Sequence, residues 1–191
     1  MKERPIIFSG PMVRAILEGR KTQTRRMLNP QPEWVYGHWR LNGYEGRGDN
    51  RHVALSCPFD PVRYAQPEAR GWFSGSGCPY GAPGDRLWCR ETFKDYNCMG
   101  GFAYRADGDL STGLPWRPSI YMPRKASRIT LEITGVRVER LVSLCYNDAI
   151  AEGFNSIEEF SVCWDRINGK RGYSWSNNPW VWVLEFSKVL H

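Results

Sequence analysis

No run of apolar residues in this 191-residue chain approaches the roughly 18 that a membrane-crossing helix needs. The opening "MKERPIIFSGP" starts with charge, but its apolar run is far too short for a secretory signal. Both absences lead to the expectation of a soluble, cytoplasmic protein with no membrane partner. Cysteine occurs six times, at 57, 78, 89, 98, 145 and 163, never as a CxxC pair and never at zinc-finger spacing. Cys57 and Cys78, with His38 and His52, share one loop-rich region and form the one set that suggests zinc. Reduced, unpaired thiols are the simpler expectation, so neither a metal nor another cofactor is expected. No segment repeats.

What is present is a packing composition: 41% hydrophobic residues and 14% aromatics, including nine Trp. That excludes a disordered chain and suits one domain with a sizeable core. The formal charge is +6. Such a balance fits a polyanionic partner only if the cations cluster, because modest positive charge also serves solubility.

They do cluster. "ILEGRKTQTRR", residues 16 to 26, puts Arg20, Lys21, Arg25 and Arg26 within seven positions, with Thr22 and Thr24 between them. The stretch follows a predicted helix: Pro11 fits a first turn, Met12, Val13, Ile16 and Leu17 recur at helical spacing, and Gly19 suits the left-handed residue that ends a helix. A solvated charge cluster at the helix C-terminus is the simpler reading. A second acid-free segment weighs against it. Between Leu110 and Leu131 there is no Asp or Glu, yet Arg117, Arg124, Lys125 and Arg128 are interleaved with Trp116 and Tyr121. Phosphate contacts with base stacking would use such a mixture, although aromatics in loops more often pack.

Elsewhere, "RPIIF" reads as a short strand and "RLWCRETF" as another after the "PGD" turn. "SRITLEITGVRVERLVSL" reads as two strands with Gly135 at a bulge or turn. "YNDAIAEGF" predicts a short helix ending at Gly153, "SIEEFSVCWDRI" a helix opened by Ser156 and Glu159, and "PWVWVLEFSKV" a closing strand. Segments of about 29–83 and 94–125 are irregular. An α+β domain built around a small barrel follows, rather than a doubly wound sheet.

Gly19, Lys21 and Arg26 stand at G-x-K-x-x-x-x-R spacing, and "PGDRLWCRETF", "RITLEITGVRVERL", "DAIAEGF" and "PWVWVLEF" follow in order. In this the chain resembles the ASCH domain, a branch of the PUA-like β-barrel superfamily associated with RNA. The longer runs look like the larger ASCH-type proteins of tailed phages and prophages, over roughly half the chain, with the two irregular segments as insertions into a single 1–191 domain. At "GRKTQT" it is similar to bacterial N4-acetylcytidine amidohydrolases. That resemblance implies Lys21, Thr24 and Glu152 as catalytic residues, Glu152 coming from the A-x-x-E pattern of Ala149 to Glu152. It implies a bacterial host's cytoplasm as the location if the chain is phage-encoded.

The chemistry is consistent with those residue types. Amide hydrolysis needs a nucleophile, a proton shuttle and a stabilised oxyanion. A Lys crowded by Arg20, Arg25 and Arg26 should be less basic and able to take the Thr24 proton, leaving Glu152 to protonate the departing amine. On a regular strand, 21 and 24 would face opposite sides, so a turn between them is required. Glu91, in a strand flanked by aromatics, is the competing carboxylate. Gly19, Arg20, Arg25, Arg26, Arg124, Lys125 and Arg128 are the candidate contacts to a nucleoside or single-stranded RNA. The alternatives are a non-catalytic RNA- or nucleotide-binding module, and a ribonuclease.

Overall fold

The computed structural model describes residues 1–31, 33–35, 38–40, 78–96, 101–108 and 113–189. Alternation sets the first strand, β1 (Glu3–Ile7): Ile6 turns inward while Pro5 and Ile7 stay exposed. Helix α1 (Gly10–Leu17) carries Pro11 in its first turn and buries Val13, Ala15 and Ile16. Gly19, at φ +76°, reverses the chain after it, as the amides of Gly19 and Arg20 bond back to the carbonyls of Ile16 and Ala15. Strand β2 (Gln23–Met27) then begins, so Lys21 and Thr22 lie in the connection and not in the ladder.

Next come the short antiparallel pair β3 (Glu33–Val35) and β4 (His38–Arg40), then β5 (Arg86–Arg90). β6 (Phe93–Tyr96) and β7 (Gly101–Tyr104) pair as a second antiparallel ribbon. The expected single strand "RLWCRETF" is therefore two, parted at Glu91 and Thr92, and the segment read as irregular contains a hairpin followed by short 3-10 turns, among them Ser119–Tyr121 and Arg124–Ala126. β8 (Thr130–Arg140) is one eleven-residue strand, where a strand pair was expected. β9 (Trp180–Lys188) supplies it with an unbroken partner, and a register shift between Ile133 and Gly135 replaces the turn. A Cβ on Gly135 would sit 2.7 Å from Glu185 Oε2, so a side chain at the bulge would have to displace the Glu185 carboxylate. Helices α2 (Tyr146–Ala151) and α3 (Ile157–Asn168) fall where the sequence placed them, with Ser156 accepting the Glu159 amide at 3.2 Å.

The main sheet has the order β1-β5-β8-β9-β2; β1 runs parallel to β5 and the other neighbours are antiparallel. The architecture is α+β, as expected, but the sheet is not a closed barrel. β1 and β2 remain its two edges, and an arginine does what a ladder would: Arg26 Nη2 donates to the Ile7 carbonyl at 2.6 Å. β9 is buried on both faces. Trp182, Leu184 and Phe186 enter one core with Phe8, Ile16 and Leu131, while Val181 and Val183 enter another with Ala149, Phe160 and Trp164 of α2 and α3. Each such large apolar side chain contributes about 1.5–3 kcal/mol on burial.

Candidate active site

The β2–β9 ladder sorts the basic cluster. Thr24 and Arg26 lie opposite Leu184 and Trp182, on the face of the larger core; Gln23 and Arg25 lie opposite Glu185 and Val183, facing α2. Lys21 precedes the strand and reaches the α2 C-terminus. Its Nζ donates to the Gln23 carbonyl at 2.8 Å, the Glu152 carbonyl at 2.7 Å and Glu152 Oε2 at 2.8 Å. Lys21 and Glu152 are each 2% exposed. Their approach is allowed by Gly153, at φ +88°, where a Cβ would stand 3.3 Å from Lys21 Cβ and 3.0 Å from Ala15 Cβ.

Arg25, also buried, ties the same carboxylate into a network. Its Nη1 lies 3.4 Å from Glu152 Oε1, and its Nη2 lies 3.1 Å from Asp148 Oδ2 and bonds Glu139. Gln23 Nε2 donates to Asp148 Oδ1 at 3.1 Å, and Arg137 bonds Glu139 and Glu185. Removing one partner from so buried a set costs about 3–5 kcal/mol, because the remaining charge cannot return to water. Asp148 and Glu139 escaped the sequence reading. Asp148 is one helical turn before Glu152 (an i, i+4 pair on α2), and that spacing was the available signal.

Burial lowers the basicity of the Lys21 amine; Glu152 works against this, while Arg26 and Arg25 add to it. The direction agrees with the sequence expectation, but desolvation, not crowding, is the main cause. Arg20 has no part in it. It is exposed and turned to Glu18, its Nε donating to Oε2 at 2.8 Å. Burial alone would also lower Arg25, yet Glu152, Glu139 and Asp148 outweigh it and raise its pKa. Asp148 is pushed up by burial but held below the usual carboxylate range by Arg25, the Cys145 amide and Gln23.

Two groups near the pair are uncommitted. The Thr24 hydroxyl makes no hydrogen bond among the described residues, and none joins it to Lys21. Arg26 uses one donor group, on Ile7, and its buried Nε has no partner. The Phe8 ring serves both cations: its centroid is 5.7 Å from Lys21 Nζ and 5.2 Å from Arg26 Cζ. A cavity of about 550 Å³ between α1 and α3, with Pro11, Met12, Phe154 and Val162 in its walls, ends at Gly153, one residue from Glu152.

The remaining candidates do not join this site. Arg128 is fixed by two carboxylates, Glu91 (2.9 and 3.1 Å) and Asp107 (2.7 and 2.8 Å), with its Cζ 4.0 Å from the Tyr104 centroid. Glu91 is thus a buried structural partner, its pKa raised by burial, against which Arg128 acts. Arg124 bonds Glu3 and Thr130, and Lys125 is exposed. Gly19 shapes the bend and touches nothing within 4 Å of a would-be Cβ. Cys78 is buried with a raised pKa from burial; Cys57 and His52, with which it was grouped, lie outside the described residues. Among those residues no group of three or more His, Cys, Asp or Glu could hold a metal ion, and no helix is long and apolar enough to cross a membrane. No family model, curated protein or solved structure matches the chain.

Proposed function

We propose that this chain is an ASCH-type hydrolase with a PUA-like β architecture that removes an acyl group from the exocyclic nitrogen of a modified nucleobase, N4-acetylcytidine being the substrate its motif suggests. The observation that carries the reading is the 2.8 Å contact between a buried lysine of lowered basicity and the Glu152 carboxylate. A hydroxyl without a hydrogen bond among the described residues, and a guanidinium whose Nε has no partner, both on β2, support it.

In this reading Thr24 Oγ attacks the acyl carbonyl and its proton passes to the neutral fraction of Lys21, a fraction that lowered basicity enlarges. Arg26 takes the oxyanion with its unused donors. Glu152, receiving the proton through its contact with Lys21, protonates the departing base nitrogen. Water then cleaves the acyl–threonine ester by the same steps in reverse order, regenerating the hydroxyl. The reading requires the Thr24 hydroxyl to come within hydrogen-bonding reach of the Lys21 amine, which in this structure is bonded to the Gln23 carbonyl and to Glu152.

The test is incubation of the purified protein with N4-acetylcytidine, following cytidine and acetate. Wild type is expected to turn it over and Lys21→Ala to lose that activity; equal turnover by the two rejects the assignment. A binding-only reading draws support from a different observation: all three Lys21 protons have acceptors, the arrangement of an ammonium ion. It predicts nucleoside or RNA binding with no acyl release, and a ribonuclease would be recognised by strand scission.

A further inference from the structure

Helix α3 has two apolar sides where one is needed. Phe160 and Trp164 turn into the core shared with Val181 and Val183, and Asn168 is buried one turn further on. Another face carries Glu159, Val162, Cys163 and Arg166, at the i, i+3, i+4, i+7 spacing that places residues on one side of a helix. Val162, in the middle of that stripe, is apolar and 70% exposed. All four residues line the cavity of about 550 Å³ between α1 and α3, whose other walls include Met12 and Phe154. Met12 packs at the edge of the larger core and Phe154 at the edge of the smaller, so the groove lies where the two cores reach the surface. An exposed apolar strip rimmed by charge is the mark of a contact surface.

The charges identify the occupant. Glu159 Oε2 is held by the Asn155 amide at 2.9 Å and the Asn155 side chain at 3.1 Å, and Arg166 Nη2 contacts the Cys163 sulfur at 3.8 Å. Neither Glu159 nor Arg166 has an ion-pair partner among the described residues. The helix dipole favours an acid near the start and a base near the end, which accounts for the two signs but not for the apolar residue between them. The stripe is its own complement: Glu159 and Arg166 are equally far from the point midway between Val162 and Cys163. A second α3 running antiparallel, with a two-fold axis through that point, sets Glu159 of each copy against Arg166 of the other and Val162 against Val162. Exposed ion pairs add little affinity, so the apolar centre holds such a pair together and the charges fix its direction.

We infer that two copies of this chain associate through antiparallel α3 helices, each seated in the groove between α1 and α3 of the other. The inference stands apart from the hydrolase reading, because none of the residues it uses takes part in the proposed chemistry.

The experiment is sedimentation equilibrium of the full chain over a range of concentrations, with circular dichroism confirming the fold of each variant. Wild type should be a dimer and Val162→Asp a monomer. Arg166→Glu sets acid against acid in both pairs, and Glu159→Arg sets base against base; each should weaken association at least about 10-fold. Mixing these two variants in equal amounts should restore a dimer close to wild type, because one copy then supplies two acids and the other two bases. The mixture contains the same proteins that fail singly, so a folding defect, including loss of the Asn155 contacts in Glu159→Arg, cannot produce the rescue. A short bismaleimide should link two wild-type copies through Cys163 and fail to link Cys163→Ser. A wild type that is monomeric at every concentration overturns the inference and gives the groove to a different partner. So does a dimer indifferent to Val162→Asp and to both charge reversals, a mixture of folded reversals that stays monomeric, or cross-linking that survives Cys163→Ser.

Discussion

Two buried carboxylates, Glu152 and Glu91, are both 2% exposed and both held by arginine, yet they sit in different chemistries. Glu91 meets only a guanidinium: Arg128 divides its donors between Glu91 and Asp107 and stacks on Tyr104. Arg128 itself exchanges no proton near neutrality, since guanidinium stays charged. Glu152 faces an amine as well as Arg25, and burial has made that amine less basic. One cluster pins the segment before β8 to the end of β5. The other is the one in which the proposed function places proton transfer, because a lysine stands where the first has an arginine. Burial of a carboxylate does not mark a reaction centre; the titratable partner does.

Substitution at the two centres should separate these roles. Lys21→Ala is expected to lower kcat for acyl release about 10²- to 10⁴-fold, whereas Arg128→Ala, measured on the folded fraction, should leave kcat close to wild type. A loss of equal size in Arg128→Ala would erase the distinction. On stability the contrast should be as plain in urea unfolding. Glu152→Ala takes from the buried Lys21 its carboxylate partner, while Arg25 keeps Glu139 and Asp148, and should cost about 3–5 kcal/mol. Glu91→Gln leaves Arg128 its Asp107 partner and should cost only about 1–3 kcal/mol.

The pH dependence of stability should carry opposite signs. Asp148 is held below its unfolded value, so its contribution is full above the usual carboxylate range and is lost as pH falls through its folded pKa. Glu91 is raised, so its contribution grows as pH falls through its folded pKa toward the unfolded one. Urea midpoints from neutral to acid pH should therefore fall less steeply in Asp148→Asn and more steeply in Glu91→Gln; the same slope in both would break the comparison. Of the same size as Glu91→Gln is Gly153→Ala, which forces a side chain into a left-handed position against Ala15 and Lys21 and should cost about 1–3 kcal/mol in thermal unfolding. Arg20→Ala should change stability by less than about 0.5 kcal/mol, as befits an exposed pair with Glu18.

Local features were readable in the sequence and long-range ones were not. The bend at Gly19, the capping by Ser156 and the existence of the closing strand β9 each follow from a few adjacent residues, and each is where the sequence put it. The pairing of Lys21 with Glu152 came from a resemblance; their 131-residue separation is beyond any periodicity. Arg25 and Arg26, neighbours in sequence, were read as one patch. Strand alternation sends them to opposite faces, Arg25 into carboxylates and Arg26 toward Phe8 and Ile7. The strand break at Glu91 was missed because "RLWCRETF" carries no Gly or Pro to mark it; in the structure Glu91 is bound by Arg128 and Phe93 begins the β6–β7 hairpin. The open sheet in place of the expected barrel lies in the absence of β1–β2 pairing, a long-range feature that strand propensities do not encode.

The property on which proton transfer depends is the basicity of Lys21, and it is directly measurable. With lysine 13Cε labelling, and Lys21 assigned through Lys21→Arg, the NMR titration of its Cε resonance should have a midpoint below the roughly 10.4 of an ordinary lysine. It should fall further in Glu152→Gln, where the supporting charge is gone. A midpoint at or above the ordinary value would make Lys21 a permanent cation and the site a structural ion pair.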